Sequence, residues 1–296
     1  MLRMKIITSA LLIAFSCGMA YAKEIALTFD DLPAQEDVSA QEQKEINDRI
    51  LNSLQSFNAP AIGFVNESKL SNKGETSEKI AILKSWIDKR QCLGNHTYSH
   101  NALSTTDLDD FQTDVIKGAM ISKELMHNAG LSYRYFRHPY LDTGGSKEKR
   151  DLFDKFLKIH GYVIAPATID TDDWKFNREL HKNPSAKKKI IQNYLEHTKR
   201  KFRFYEHASH RMFGRNIKHV WLLHANLLNS LAMDDLLNLA SEFGYKFVSL
   251  DAVLNDKAYS EPDYYYDAFG VSWLYRWDYT RGKIIDWSQD PEPNLS

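Results

Sequence analysis

The sequence predicts a single-domain α/β protein in which about seven βα units surround a parallel sheet or barrel. Three observations carry that prediction. After residue 22, short apolar runs alternate with longer amphipathic ones, the pattern of a strand and its crossover helix repeated along the chain. Gly130, Gly161 and Gly244 each follow the last apolar position of a helical stretch, where a C′ glycine takes the left-handed conformation that ends a helix. The polar residues with chemistry to offer fall just after the apolar runs, at the strand ends where parallel α/β barrels carry their sites.

The chain opens with Arg3 and Lys5, runs apolar from Ile6 to Phe15 and reaches Ala20-Tyr21-Ala22 before Lys23. This is the order of a secretory signal, cut after Ala22. Residues 1–22 are therefore expected to be lost, 23–255 to form the catalytic domain, and 256–296 to form an aromatic-rich C-terminal extension packed on the barrel. The mature protein is expected in the periplasm or outside the cell. No later stretch has the roughly 18 to 20 apolar residues of a membrane span. Removing the signal takes away Arg3 and Lys5 but no acid, so the formal charge moves from -1 to -3. A charge so near neutral argues against nucleic acid as a partner. Cys92 is the one cysteine left after cleavage, so stability must come from the core, and a thiol in this apolar approach reads as packed and inert.

Expected strands are 24–29, 61–65, 91–93, 133–136, 162–165, 218–223 and 245–250. Between them Ile46, Ile50, Leu54 and Phe57 recur at helical spacing, as do Ile80, Leu83 and Ile87, and then Leu108, Phe111 and Val115. Pro184 after Asn183 reads as the first residue of a helix after its cap. Lys187, Lys188, Lys189, Lys199, Arg200, Lys201 and Arg203 lie in one helical pattern and read as a solvated face. Tyr264, Tyr265, Tyr266, Phe269, Trp273, Tyr275, Trp277 and Tyr279 crowd the C-terminal end, where packing onto the barrel and stacking on sugar are both open readings.

The stretch Gly94-Asn95-His96-Thr97-Tyr98-Ser99-His100 stands out. If it is helical, its two histidines project from one face and can share a metal ion. Asp30-Asp31, after the first strand, offers the missing carboxylate. Two imidazoles and one carboxylate leave a position open for water, which marks a catalytic rather than a structural metal. Asp30 and Asp31 follow strand one, His96 and His100 strand three, Arg137 strand four, Asp170 and Asp173 strand five, and His224 ends strand six.

Taken together, Thr28-Phe29-Asp30-Asp31, His96 to His100, Arg137-His138-Pro139-Tyr140, Asp170 to Trp174 and Leu222-Leu223-His224 resemble the five ordered motifs of the polysaccharide deacetylases, carbohydrate esterase family four. The resemblance implies a distorted parallel barrel of about seven βα units. It implies Asp31, His96 and His100 as ligands of one divalent metal ion; zinc suits them, and cobalt, nickel or manganese could occupy the same set. It makes Asp30 the general base and Arg137 its partner, and it gives the Tyr140 backbone N–H as an oxyanion donor. His224 becomes the general acid tuned by Asp173, with Trp174 and Leu222 lining the acetyl pocket. The implied reaction removes N-acetyl or O-acetyl groups from a glycan.

Each implied role has a physical reason. An acetamide carbonyl is a poor electrophile, and a divalent metal both polarises it and acidifies water. Asp30 can accept a proton only as the carboxylate, which the Arg137 cation favours. A histidine beside a carboxylate stays charged near neutral pH and can protonate the leaving amine. Outside these roles Asp170 reads as a loop cap, Asp172 as a solvated carboxylate and His138 as a tolerated substitution, with an altered subsite as the alternative. Two other functions stay open: a hydrolase of the same fold acting on a non-glycan amide, and a protein that holds a glycan without cleaving it. A zinc protease is disfavoured, because no Glu follows His96 in an H-E-x-x-H arrangement.

Overall fold

The structure, a computed structural model, describes residues 23–71, 74–268 and 270–295, and the expected signal segment lies outside them. In chain order the elements are β1 Lys23–Leu32, α1 Ala40–Ser56, β2 Ala61–Val65, α2 Thr76–Asp88, β3 Cys92–Asn95, α3 Leu108–Lys117, α4 Met120–Asn128, β4 Tyr135–Phe136 and α5 Lys147–Ile159. They continue with β5 Val163–Ile164, β6 Ile169–Asp170, α6 Asp173–Lys182, α7 Lys187–Phe213, β7 His219–His224, α8 Leu227–Glu242, β8 Tyr245–Phe247, α9 Leu250–Leu254 and α10 Trp273–Arg281.

Every strand pair is parallel, in the order β5-β4-β3-β2-β1-β7-β6. Ile25 of β1 pairs with both His219 and Phe247, so β8 lies on the opposite side of β1 from β7, below the start of β2. Strands shrink to two residues toward the edges, and the sheet curls into a partial barrel with helices around it. This is the α/β barrel that the alternating pattern predicts.

β1 is buried from Ile25 onward, as expected of a central strand covered on both faces. Ile46, Ile50 and Leu54 of α1 pack in the main core as their spacing predicts. The buried face of α2 is instead Lys79, Ile82, Leu83 and Trp86, one position away from the expected series. Helices end at Gly130, Gly161 and Gly244 with φ of 71°, 74° and 83°. The sequence reading lacked β6: two residues are too short to show alternation. Asp170 therefore ends the sixth strand, Asp173 follows it, and His224 ends the seventh.

The C-terminal residues do not form a separate layer. Trp273, Leu274 and Trp277 are buried in the main core with Leu223 and Tyr205. Tyr264 and Tyr279 remain exposed. Cys92 is half-buried and burial pushes its thiol pKa up, which suits an inert side chain.

Candidate active site

The rim at the C-terminal ends of the strands begins with an irregularity in β1. Its register against β2 shifts between Phe29 and Leu32, and Asp31 has φ 71°, a conformation that costs a non-glycine residue about 1 kcal/mol or more. Regular alternation would send the two carboxylates to opposite faces. The bulge overrides it, and both reach one basin. Asp30 Oδ2 lies 3.7 Å from His96 Nε2, and Asp31 Oδ1 lies 3.9 Å from the same nitrogen and 3.4 Å from His100 Nε2.

The histidine stretch is not a helix. β3 ends at Asn95, and the chain continues as an irregular loop with Thr97 at φ 66° and His100 at φ 58°. Asn95 Oδ1 accepts from the Thr97 N–H at 2.7 Å, Thr97 Oγ1 accepts from the His100 N–H at 3.0 Å, and Asn66 Nδ2 donates to the His96 carbonyl at 2.6 Å. The two rings meet because these local bonds fold the loop back, with centroids 4.8 Å apart. Gly118 permits the fold, since a Cβ there would sit 2.4 Å from the Thr97 carbonyl carbon.

One ligand atom from each of Asp31, His96 and His100 lies within 4.8 Å of the others. His96 Nδ1 hydrogen-bonds the Arg137 carbonyl at 2.8 Å, so it carries the proton and Nε2 turns a lone pair to the basin. Burial first, opposed by Asp31, brings the pKa of His96 and His100 down to about 4, leaving both imidazoles neutral at pH 7. Burial would raise Asp31, but Lys69, His100, His224 and His96 together hold it well below the usual carboxylate range. Asp31 Oδ1 is nevertheless buried without a hydrogen bond. Two neutral imidazoles and an orphaned carboxylate oxygen fit a divalent cation, which would repay the burial of that charge.

Beside this set, Arg137 is fully buried and brings Nη1 to 3.3 Å from Asp30 Oδ2, while Nη2 donates to Thr28 Oγ1 at 2.9 Å. Burial raises the Asp30 pKa despite Arg137, so the guanidinium limits the rise rather than reversing it. Register places Asp30 opposite His224 across β1 and β7. His224 Nδ1 bonds Asp173 Oδ1 at 2.8 Å, and the His224 N–H donates to Asp173 Oδ2 at 2.7 Å. Burial favours the neutral imidazole, but the Asp173 charge and its hydrogen bond, then Asp31 and Asp30, push His224 up to about 10. Held at Nδ1, this imidazolium is left with Nε2–H as its free donor.

The remaining expected residues sit on the same rim. Tyr140 has its ring exposed and 4.5 Å from the His100 ring, on a turn where Tyr140 and Leu141 have φ of 57° and 54°. Trp174 opens α6 and is 37% exposed, whereas Leu222 is buried on β7. Two readings are corrected. Asp172 is not solvated: it is buried, with Lys175 at 2.8 Å, His197 at 3.0 Å and Lys201 at 3.1 Å. Lys201 accordingly leaves the solvated basic face. His138 is buried against Phe136 and Phe153.

Sequence reasoning missed three residues. Lys69 Nζ reaches the Ala34 and Asp31 carbonyls at 3.0 and 3.3 Å and Asp31 Oδ1 at 3.6 Å. Asn229 and Asn226 direct side-chain amides to Asp173 Oδ2. Asn226 also caps α8, and an Asn ahead of that helix was the available signal.

The arrangement brings to one rim a three-residue set that could hold a cation, a buried carboxylate paired with arginine, and a histidine held by a buried carboxylate across the sheet. Residues 19–154 match the model of the polysaccharide deacetylase family. It is 31% identical over 164 residues to a peptidoglycan-N-acetylglucosamine deacetylase of Bacillus cereus, covering 55% of this chain. It spans about half the length of that curated relative, 50%. Among solved structures, a family 4 carbohydrate esterase pseudoenzyme from Bacillus anthracis is similar with TM-score 0.56 and 20% identity, over 79% of this chain and 66% of that one. A peptidoglycan N-acetylglucosamine deacetylase in complex with 4-naphthalen-1-yl-N-oxidanyl-benzamide gives TM-score 0.52 at 22% identity, over 78% and 87%. At these identities the structural likeness speaks for the fold.

Proposed function

We propose that this chain is an exported, divalent-metal-dependent deacetylase that hydrolyses acetamide groups on a glycan. The observation that carries the reading is the convergence, on one rim, of the Asp31–His96–His100 set, the Asp30–Arg137 pair and the His224–Asp173 pair. A glycan is the favoured substrate because the match to a peptidoglycan deacetylase covers 55% of this chain and an export signal would deliver the protein to the cell wall. We take 23–255 as the catalytic unit and 256–296 as an extension of it.

In this reading Asp31, His96 and His100 hold the ion, with zinc the best match to their donor atoms. Bound there, the ion supplies Lewis acidity to the acyl oxygen and lowers the pKa of water. Asp30 takes the proton of the attacking water at a carboxylate oxygen. Arg137 orients Asp30 through Nη1 and favours the ionised form that must do this work. The Tyr140 N–H donates to the acyl oxygen as negative charge grows on it. His224 Nε2–H protonates the leaving nitrogen, and Asp173 fixes both its ring orientation and its charge. Trp174 and Leu222 close an apolar wall around the acetyl methyl group.

A protein that merely holds its glycan, as neighbours described as pseudoenzymes suggest, has no use for this full set of charged groups kept buried at a cost in solvation. Acetate release from acetylated chitin oligomers, peptidoglycan and acetylated xylan, with and without chelator, tests the proposal. Chelator-sensitive release from at least one glycan is expected. Release from a small linear or cyclic amide but from no glycan would replace the substrate class, and release from none would overturn the enzymatic reading.

A further inference from the structure

The turn that carries Tyr140 lies against Gly270 and Arg276, which the family match ending at residue 154 does not include. Two successive left-handed residues, Tyr140 and Leu141, leave this turn no favourable local conformation of its own. Something outside it must hold it. Gly270 presses on it so closely that a Cβ there would lie 1.8 Å from the Tyr140 carbonyl oxygen and 2.6 Å from the Leu141 Cβ and carbonyl carbon. Six residues further along, Arg276 Nη2 donates to Thr143 Oγ1 at 2.7 Å.

The pressing segment is itself tied down on both sides. Arg276 Nε donates to Asp263 Oδ2 at 2.7 Å, and Arg150 of α5 reaches the same carboxylate at 2.9 Å and the Asp263 carbonyl at 3.1 Å. At the other end Ser272 Oγ donates to the Thr168 carbonyl and the Trp273 N–H to the Ala167 carbonyl, both at 2.8 Å, and Trp273 and Trp277 are buried. From below, the Gly144 N–H donates to Asp142 Oδ1 at 2.8 Å, and Ser104 holds the other oxygen of that carboxylate. The turn is thus gripped between Ser104 on one side and the C-terminal segment on the other.

We propose that residues 263–268 and 270–276 act as a strap that sets the position of the Tyr140 peptide, with Gly270 and Arg276 as positioning residues for the oxyanion donor. The catalytic consequence rests on the deacetylase reading given above; the mechanical one does not. A peptide N–H stabilises a tetrahedral oxyanion only when aimed at where the charge develops, so a shift of the turn costs turnover more than substrate affinity.

The test combines steady-state kinetics with amide hydrogen exchange in the peptide covering 139–145, on full-length Gly270→Ala and Thr143→Val. Thr143→Val keeps the side-chain shape and removes only the Oγ1 that accepts from Arg276 Nη2. Leu54→Ala is the control, since it removes buried packing in α1, outside both the strap and the turn. In Gly270→Ala, exchange at 139–145 should rise at least about tenfold and kcat fall about 10²-fold, with KM within about threefold and metal content unchanged. Thr143→Val should move both readouts the same way by less, about threefold in exchange and about tenfold in kcat, and Leu54→Ala should lower Tm and leave them alone. Unchanged exchange at 139–145 in a folded Gly270→Ala overturns the strap, as does an equal kcat loss in Leu54→Ala. If Gly270→Ala does not fold, Thr143→Val decides: unchanged exchange and kcat there overturn it equally. If the wild type releases acetate from no substrate, the deacetylase reading fails while the exchange comparison still decides the strap.

Discussion

Replacing Asp30 by Asn should leave the bound metal in place while kcat falls by roughly 10² to 10⁴, about 3 to 5 kcal/mol of barrier. The substitution keeps size and polarity but removes the capacity to take a proton. Replacing Asp31 by Asn should remove metal and activity together. Both carboxylates face one basin, Asp30 at 3.7 Å and Asp31 at 3.9 Å from His96 Nε2, so distance to that histidine does not divide their roles. Their other partners do. Asp30 is held by the Arg137 guanidinium at 3.3 Å, whereas Asp31 reaches His100 at 3.4 Å; each keeps one buried oxygen without a hydrogen bond. Metal content by mass spectrometry and kcat on the same preparations check this. Loss of metal in Asp30→Asn with retention in Asp31→Asn would exchange the two roles, and an Asp30→Asn enzyme within about threefold of wild type would place the base elsewhere.

The second large effect concerns the charge on His224. Its imidazolium is favoured because Asp173 and the basin carboxylates outweigh burial, so the acid form persists up to about pH 10. Activity on an acetamide should therefore hold through neutral pH and fall as pH rises through that value. In Asp173→Asn the main opposing charge is gone and burial dominates, so the folded pKa moves downward. The alkaline limb should shift toward lower pH by several units, with kcat at pH 8 down by about 10² or more. His224→Ala should lose activity on an acetamide far more than on an aryl acetate, whose leaving group departs without a proton. Equal losses on both substrates, or an unmoved alkaline limb in Asp173→Asn, would make His224 a residue that positions substrate or supports the strand.

Much of this site was legible because it is written in short motifs at strand ends. Asp30 and Asp31 lie near the end of β1, His224 ends β7, and His96, His100, Arg137 and Asp173 come after β3, β4 and β6, most of which the apolar runs locate. What the sequence concealed is local backbone and distant partnership. Nothing in Thr28 to Asp31 announces the bulge and the φ of 71° that turn Asp31 into the same basin as Asp30. The spacing of His96 and His100 suggested a helical turn, yet Asn95 and Thr97 side-chain bonds accomplish the convergence in a loop.

Distant partners were hidden for a different reason. Lys69 and Asn229 carry no motif; they matter through tertiary approach alone. Asp172 and Lys201 were each read as solvated because each is polar and lies in a polar stretch. In the fold Lys201 also pairs with Asp290 at 2.8 Å, and the three charges satisfy one another away from water. Asp170, two residues earlier, shows the effect of incomplete pairing, since burial and the Asp172 charge push it up to about 6. Polarity predicts exposure only for groups that lack a partner, and partners tens of residues apart leave no trace in local pattern.

The central claim is that Asp31, His96 and His100 hold the ion on which turnover depends. The most direct measurement adds zinc in steps to chelator-treated wild-type protein and follows bound ion and acetate release on the same samples. Release should rise in proportion to bound zinc, saturate at one ion per chain, and be absent with binding in His100→Ala. Acetate release at the full rate from protein freed of metal, or full zinc occupancy in His100→Ala, would contradict it.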